Sequence, residues 1–291
     1  MTEATAEAAA GATMAGTTAP GVTALVLAGQ RPGETDPLAE AAGVACKALV
    51  PVAGVPMLPR VVAALRAAGG VGRVVVLGDP ATLPAGLAEL LPAAESPSAG
   101  VAAALERFGA PLLVTTADHP LLTAAMVEHF LAATPAWADA SAGLARREVV
   151  LAAYPGGRRT WLRFRGGAYT GCNLFLLRTP QAAGVVRFWR RLERERKRPL
   201  KMAALLGFAV LFRHALGLLS LPGALAALGR RTGTRLAAVE MPFADAAVDV
   251  DKPADLVLVE AVLRARENPG CTGVQSSASR PAMMGSLRPE W

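Results

Sequence analysis

Three short apolar runs, at residues 24–28, 71–77 and 111–116, alternate with segments whose apolar residues recur at helical spacing. Runs this short suit buried strands better than core helices. The segments between them carry helix boundaries. The pattern over 58–68 stops at Gly69-Gly70, that over 100–108 follows Ser96-Pro97-Ser98, and Thr123 is placed to cap a helix running to about Ala133. Such alternation builds βαβ units: a mostly parallel sheet with helices on both faces, a Rossmann-like three-layer α/β/α sandwich. Ligands of these sheets sit at the carboxyl ends of the strands. Gly29 and Asp118 fall at two such ends, so a single cleft can hold both.

The first of these ends carries phosphate chemistry. Leu25-Val26-Leu27-Ala28-Gly29 is followed by Gln30 and Arg31. One loop later, Cys46-Lys47 leads into a second apolar run closed by Gly54 and Pro56. Glycine lets the backbone approach a triphosphate, and Arg and Lys neutralise it. Asp118 closes a buried-looking strand, where a carboxylate can hold the Mg2+ that bridges nucleotide phosphates. Taken alone, it reads better as an Asp that starts a turn before Pro120. Asp249 and Asp251 stand two apart, so in an extended segment both carboxylates point the same way. Asp251 ahead of Lys252-Pro253 also suits a helix N-cap, and Asp255 suits the helix dipole.

These residues resemble the MobA-like nucleotidyltransferases. That family opens with roughly L-A-G-G-x-G-x-R, then a Lys, then G-x-P-[ML]-L. The matches here are Leu27, Ala28, Gly29, Arg31, Lys47, Gly54, Pro56 and Leu58, with Gln30 in place of the second glycine. Ala117-Asp118-His119-Pro120-Leu121-Leu122 is similar to the family's G-D-x-P-x-[LIV]. The run from Asp249 to Leu256 is similar to its closing D-x-D-T-P-E-D-L, with Lys252 for Thr. Ser96-Pro97-Ser98-Ala99-Gly100 resembles the G-P-L-x-G that lies beside the nucleobase. The resemblance covers about residues 22–180 and 237–265.

The resemblance implies a GT-A type fold and transfer of a nucleoside monophosphate from an NTP to a phosphorylated acceptor, with release of pyrophosphate and Mg2+ as cofactor. CTP or GTP is the favoured donor, and a small molecule or a lipid precursor the acceptor. It implies a nucleotide site at Leu27, Ala28, Gly29, Gln30, Arg31, Lys47, Ser98 and Gly100, with catalytic roles for Arg31, Lys47 and Asp118. The metal ligands would be Asp118 with Asp249, Asp251 or both. By likeness to sugar-phosphate nucleotidyltransferases, Asn173 in Gly171-Cys172-Asn173-Leu174 would touch the acceptor; an Asn satisfying a turn is the alternative. A GT-A glycosyltransferase using a nucleotide sugar ranks second. Such enzymes usually place D-x-D at a mid-chain strand end, where this chain has Asp118-His119-Pro120. A non-catalytic nucleotide-binding or membrane-associated adaptor is the third reading.

The second half is less regular. Strands are predicted at 149–154, 171–177 and 237–242, a basic helix at 181–199, one or two apolar helices at 200–229, and a last helix to about Arg266. Residues 1–20 and 268–291 read as disordered tails around a domain over 21–267, whose helical insert at about 181–236 the resemblance does not explain. The chain carries a net charge of +7, and the window 187–201 holds eight basic residues against two acidic ones, so the excess is a patch. Only 11 residues separate Lys201 from Arg213, too few to span a bilayer. A solvated helical cap is favoured there; a peripheral membrane surface over 187–213 is the second reading.

Nucleic acid is not expected as a partner: aromatics make up 5% of the chain and no nucleic-acid-binding signature is present. Cys46, Cys172 and Cys271 lack zinc or disulfide spacing, and His119, His129 and His214 share no ligand spacing. Glu3 and Glu7, with no basic stretch before an apolar run, argue against a signal peptide. The expected location is cytoplasmic, with the inner face of the membrane as the variant.

Overall fold

The computed structural model describes residues 21–29, 36–156 and 159–267. Both expected tails, and Gln30, Arg31 and Cys271, lie outside the described residues. In chain order the elements are β1 (Val22–Leu27), α1 (Pro37–Ala41), β2 (Pro51–Val52), β3 (Val55–Pro56), α2 (Met57–Ala67), β4 (Val71–Gly78), β5 (Glu89–Pro92), α3 (Pro97–Phe108), β6 (Leu112–Thr116), α4 (Ala124–Ala133) and β7 (Ala140–Arg146). Then come α5 (Arg147–Ala153), β8 (Leu162–Phe164), β9 (Gly167–Leu177), α6 (Ala183–Glu195), α7 (Pro199–Leu206), α8 (Phe208–Ala215), α9 (Leu221–Thr232), β10 (Leu236–Glu240) and α10 (Pro253–Glu267).

The main sheet has eight strands in the order β10-β7-β9-β6-β1-β4-β5, with β8 paired to β9. β1 lies between β4 and β6, parallel to both, and Leu25 sits beside Val75 on one side and Val114 on the other. β9 alone runs antiparallel between β6 and β7. Because strand side chains alternate between faces, β1 feeds two cores. Ala24 and Val26 pack with α2 and α4 through Leu58, Val61 and Phe130. Leu25 packs on the opposite face with Val101 of α3 and Val186 of α6. Ala24, Leu25 and Val26 are all fully buried, which is why the run is continuously apolar. The layers are those expected: helices on both faces of a mostly parallel sheet.

A third, smaller core lies under the carboxyl edge of the sheet. Val50, Val52, Leu121, Val248, Val250 and Val259 meet there and join the β2–β3 hairpin to α10 and to the turn after β6. The β-side valines alternate with Asp249 and Asp251, so burial of Val248 and Val250 aims both carboxylates away from this core.

Three expectations are corrected. Residues 149–154 form most of helix α5, not a strand. A six-residue apolar run is ambiguous by pattern alone, and the place beside β9 is already filled by β7. The apolar stretch 200–229 makes three helices, because the chain turns at Gly207 (φ +93°) and again at Gly217 (φ +68°), backbone conformations that favour glycine. The basic helix stops at Glu195, short of the expected 199, where Arg198-Pro199 starts a new helix.

Asp139, buried at the start of β7, ties that strand to β10 and to the end of β9. It accepts hydrogen bonds from the Arg235 backbone N–H (2.9 Å), the Arg235 guanidinium (2.8 and 3.0 Å) and the Thr179 hydroxyl (3.0 Å). Bonding from Arg235 holds its pKa far below the usual carboxylate range. A depressed carboxylate pKa adds stability above its unfolded value of about 4, and that stability drains away as pH falls toward the folded value. Most of the Arg235 side chain is in solvent, so the loss in Asp139→Ala comes chiefly from the unpaired backbone N–H and hydroxyl. Thermal unfolding should fall by about 5 °C near pH 7, and the gap from the parent should narrow between about pH 4 and pH 2.

Candidate active site

Asp118 is clamped from two sides. Its neighbour Ala117 donates its N–H to the Leu27 carbonyl (3.0 Å), which keeps the end of β6 alongside β1. The Asp118 carbonyl accepts the Val250 N–H (2.9 Å), which draws residues 248–251 against it. Lys47 opens a short 3-10 turn anchored by buried Cys46 and Ala48. Its ammonium donates to Asp118 Oδ2 (2.7 Å) and Asp251 Oδ1 (2.6 Å). Residues 71 and 204 positions apart in sequence thus meet at one nitrogen.

A second pair adjoins the first. Asp249 accepts from Arg159 Nη1 (3.2 Å) and from Asn173 Nδ2 (3.4 Å). Asn173 sits in β9 with φ +50°, a left-handed conformation that Asn tolerates better than most residues. Three carboxylates and two cations therefore line one end of the sheet. Burial alone would lower the Lys47 pKa, but the Asp118 and Asp251 carboxylates outweigh it and hold the ammonium above its ordinary value. Lys47 is charged at every physiological pH.

Two polar atoms here have no partner among the described residues: Asp118 Oδ1 and Arg159 Nε, both buried. Buried groups in this state call for an explanation, because a missing partner costs free energy. His119, next to Asp118, is also buried, with Nε2 3.4 Å from the Asp245 carbonyl and Nδ1 unpaired. Burial lowers its pKa and keeps the ring neutral. It packs beneath the site and brings no charge to it. Tyr154 and Arg266 both bond Asp245, bracing the loop that leads into Asp249.

The remaining sequence candidates fall into two groups. Leu27, Ala28 and Gly29 end β1, where the Ala28 N–H donates to the Leu77 carbonyl (2.8 Å) and Gly29 is exposed. Ser98 and Gly100 lie in the first turns of α3. Ser98 is fully buried and its hydroxyl bonds Glu193 of α6. A Cβ at Gly100 would come within 2.3 Å of Leu77 Cδ2, so this glycine lets α3 approach β4. Ser96 caps α3, accepting from the Ala99 N–H (3.3 Å). Asp251 does not cap α10: Asp255 reaches back to the Asp251 and Lys252 N–H groups (3.2 and 3.1 Å) and leaves the Asp251 carboxylate to Lys47.

Arg159 escaped the sequence reading. It lies between α5 and β8 in a stretch of sequence rich in Gly and Arg, with no motif or spacing to mark it. Only the fold brings it to Asp249.

The sheet order, with helices on both faces and a lysine and aspartates at the carboxyl edge, defines an α/β fold with one charged cluster at its strand ends. The chain matches the MobA-like NTP transferase domain over residues 24–210, well over half its length, and belongs to that family. It is thus a nucleotidyltransferase. Among solved structures it is similar to a hypothetical transferase from Thermus thermophilus, with 37% identity and a TM-score of 0.72 over 81% of this chain and 99% of that one. It also shares its fold with CMP:2-keto-3-deoxy-manno-octonic acid synthetase, solved in complex with CTP. That likeness has 16% identity and a TM-score of 0.52, over 84% of this chain and 99% of the other. No curated protein matches the chain.

Proposed function

We propose that the chain transfers the nucleoside monophosphate of an NTP to a phosphorylated acceptor and releases pyrophosphate. The observation that carries this reading is the convergence of Lys47, Asp118 and Asp251 at the carboxyl end of β6. An acceptor phosphate oxygen attacks the α-phosphorus in line. The new O–Pα bond forms as the bond from Pα to the α–β bridging oxygen breaks, and pyrophosphate carries off the charge. Such a reaction asks the protein for positioning and charge neutralisation more than for covalent chemistry.

Mg2+ fits the residues present. Asp118 and Asp251 already share one cation, the Lys47 ammonium, and Asp118 Oδ1 is a buried oxygen without a donor. Among the described residues no three His, Cys, Asp or Glu side chains form a ready-made cage. Mg2+ does not ask for one: it is commonly held by one or two carboxylates together with substrate phosphates. Asp118 and Asp251 would hold it, and it would offset the charge gathering on the phosphate oxygens. Asp249, engaged with Arg159 and Asn173, serves the acceptor side. On this reading Arg159 and Asn173 meet the acceptor's phosphate and Lys47 meets the triphosphate. The CTP in the related synthetase makes CTP the first donor to try.

Pyrophosphate release from purified protein tests this directly, with each of the four common NTPs and a panel of sugar, polyol and lipid-headgroup phosphates. Release should require one NTP, one acceptor and Mg2+, and should stop with EDTA. Absence of release across the whole panel, with turnover of a nucleotide sugar instead, would overturn the proposal.

A further inference from the structure

Helices α7 and α8 bury none of their side chains fully, although their sequence is mostly apolar. Phe208, Phe212 and Leu216 follow one another at intervals of four residues, one face of a helix, and are 62%, 66% and 55% exposed. Leu200 on α7 (78%) and Leu218 just beyond α8 (52%) add to the exposed apolar surface. Scattered exposed apolar residues need no explanation, but a helical stripe of them with no partner does.

The surroundings of this stripe are cationic. Residues 187–213 hold nine basic and two acidic residues, which is the whole +7 of the chain; the remainder is neutral. Both acids are engaged: Glu193 with Ser98, and Glu195 with Arg198 (3.4 Å) and Lys201 (3.8 Å). Arg194, Arg196, Lys197, Arg198, Lys201 and Arg213 lie on the same basic stretch, and all six are exposed. Each helix is eight residues long, and among the described residues no helix is long and apolar enough to cross a membrane.

We infer that α7 and α8 with the basic end of α6 form an interfacial surface for an anionic phospholipid bilayer. Short amphipathic helices with phenylalanine and leucine on one side and Lys/Arg on the other lie in the headgroup layer: the apolar stripe enters the acyl boundary and the cations meet phosphates. The charge argues against the other occupants. A second copy docking by the same face would bring two +7 patches together. Nucleic acid would meet the cations but leave Leu200, Leu216 and Leu218 without apolar partners. The surface is tied to the catalytic sheet through β8: the Arg165 N–H donates to the Leu219 carbonyl (2.8 Å), and His214 packs edge-on against Phe164 (5.8 Å). β8 in turn pairs with β9, which carries Asn173.

Vesicle co-sedimentation of the full chain tests this without any turnover, so it stands apart from the transfer reaction. The protein should bind vesicles of phosphatidylcholine with about 30 mol% phosphatidylglycerol, not pure phosphatidylcholine, and binding should weaken as NaCl rises from about 0.1 M to about 0.5 M. Phe208→Ser with Phe212→Ser should weaken binding at least about tenfold with an unchanged melting temperature, because both side chains are exposed. Lys197→Gln, Arg198→Gln and Lys201→Gln together should weaken it by about a hundredfold. In Phe212→Trp, the fluorescence of the new indole should shift to the blue on anionic vesicles. Any of these results would overturn the inference: no binding to anionic vesicles, equal binding to neutral ones, a vesicle-bound Phe212→Trp variant whose indole emission matches that of the free protein, or self-association that the double Phe variant abolishes without any vesicle binding. Tight binding of duplex DNA in place of vesicles, lost in the charge variant and kept in the Phe variant, would also overturn it.

Discussion

Asp118→Ala should lower kcat by about a thousandfold and leave the protein folded. The carboxylate accepts from the Lys47 ammonium through one oxygen, and its other oxygen is a buried acceptor without a donor among the described residues. Removing it takes away a carboxylate that would help hold the cation against the triphosphate, so the deficit should fall on turnover. Stability changes little, because the clamp on residue 118 is backbone: its carbonyl still accepts the Val250 N–H. Lys47 keeps Asp251 as partner. The melting temperature should move by no more than about 3 °C. Steady-state kinetics and circular dichroism on the same sample check both halves. Turnover near the parent level would remove Asp118 from the reaction.

Leu121→Ala acts in the opposite sense, on stability first. Leu121 is fully buried, three residues beyond Asp118, in the small core shared by the β2–β3 hairpin, residues 248–250 and α10. Truncation leaves a cavity where three separate pieces of chain meet, at a cost of about 3 kcal/mol. For a chain of this size that is a fall in melting temperature of about 10 °C. The same core holds Val250, whose neighbours Asp249 and Asp251 reach the site, so residual activity should fall too, even at temperatures where the variant is folded. Urea denaturation with an unchanged slope and a lower midpoint would mark a true loss of stability. A midpoint within error of the parent would show that this core does not hold the site.

The first half of the fold is legible because local signals agree there. β1, β4 and β6 each carry a short apolar run, and α3 and α4 have their serine and threonine caps. The second half hides its strands. β7 reads Ala-Ser-Ala-Gly-Leu-Ala-Arg, with no β-branched or aromatic residue, and is a strand because β9 and β10 flank it. Residues 149–154 carry the stronger strand composition and fold as helix. In the site, Lys47, Asp118 and Asp251 were found by motif and do converge. Ser98 matched a motif too, yet its hydroxyl turns to Glu193, because the sequence of α3 says nothing of α6 packed beside it. Arg159 had no local mark at all; its partner Asp249 lies 90 residues away.

Product analysis of one reaction decides most directly whether the Lys47–Asp118–Asp251 cluster serves nucleotidyl transfer. With Mg2+, an NTP and its phosphorylated acceptor, pyrophosphate and a new nucleotide–acceptor phosphoanhydride should form in equal amounts, and neither should form with Asp118→Ala. A nucleoside diphosphate released from a nucleotide sugar, with no pyrophosphate from any NTP, would contradict it.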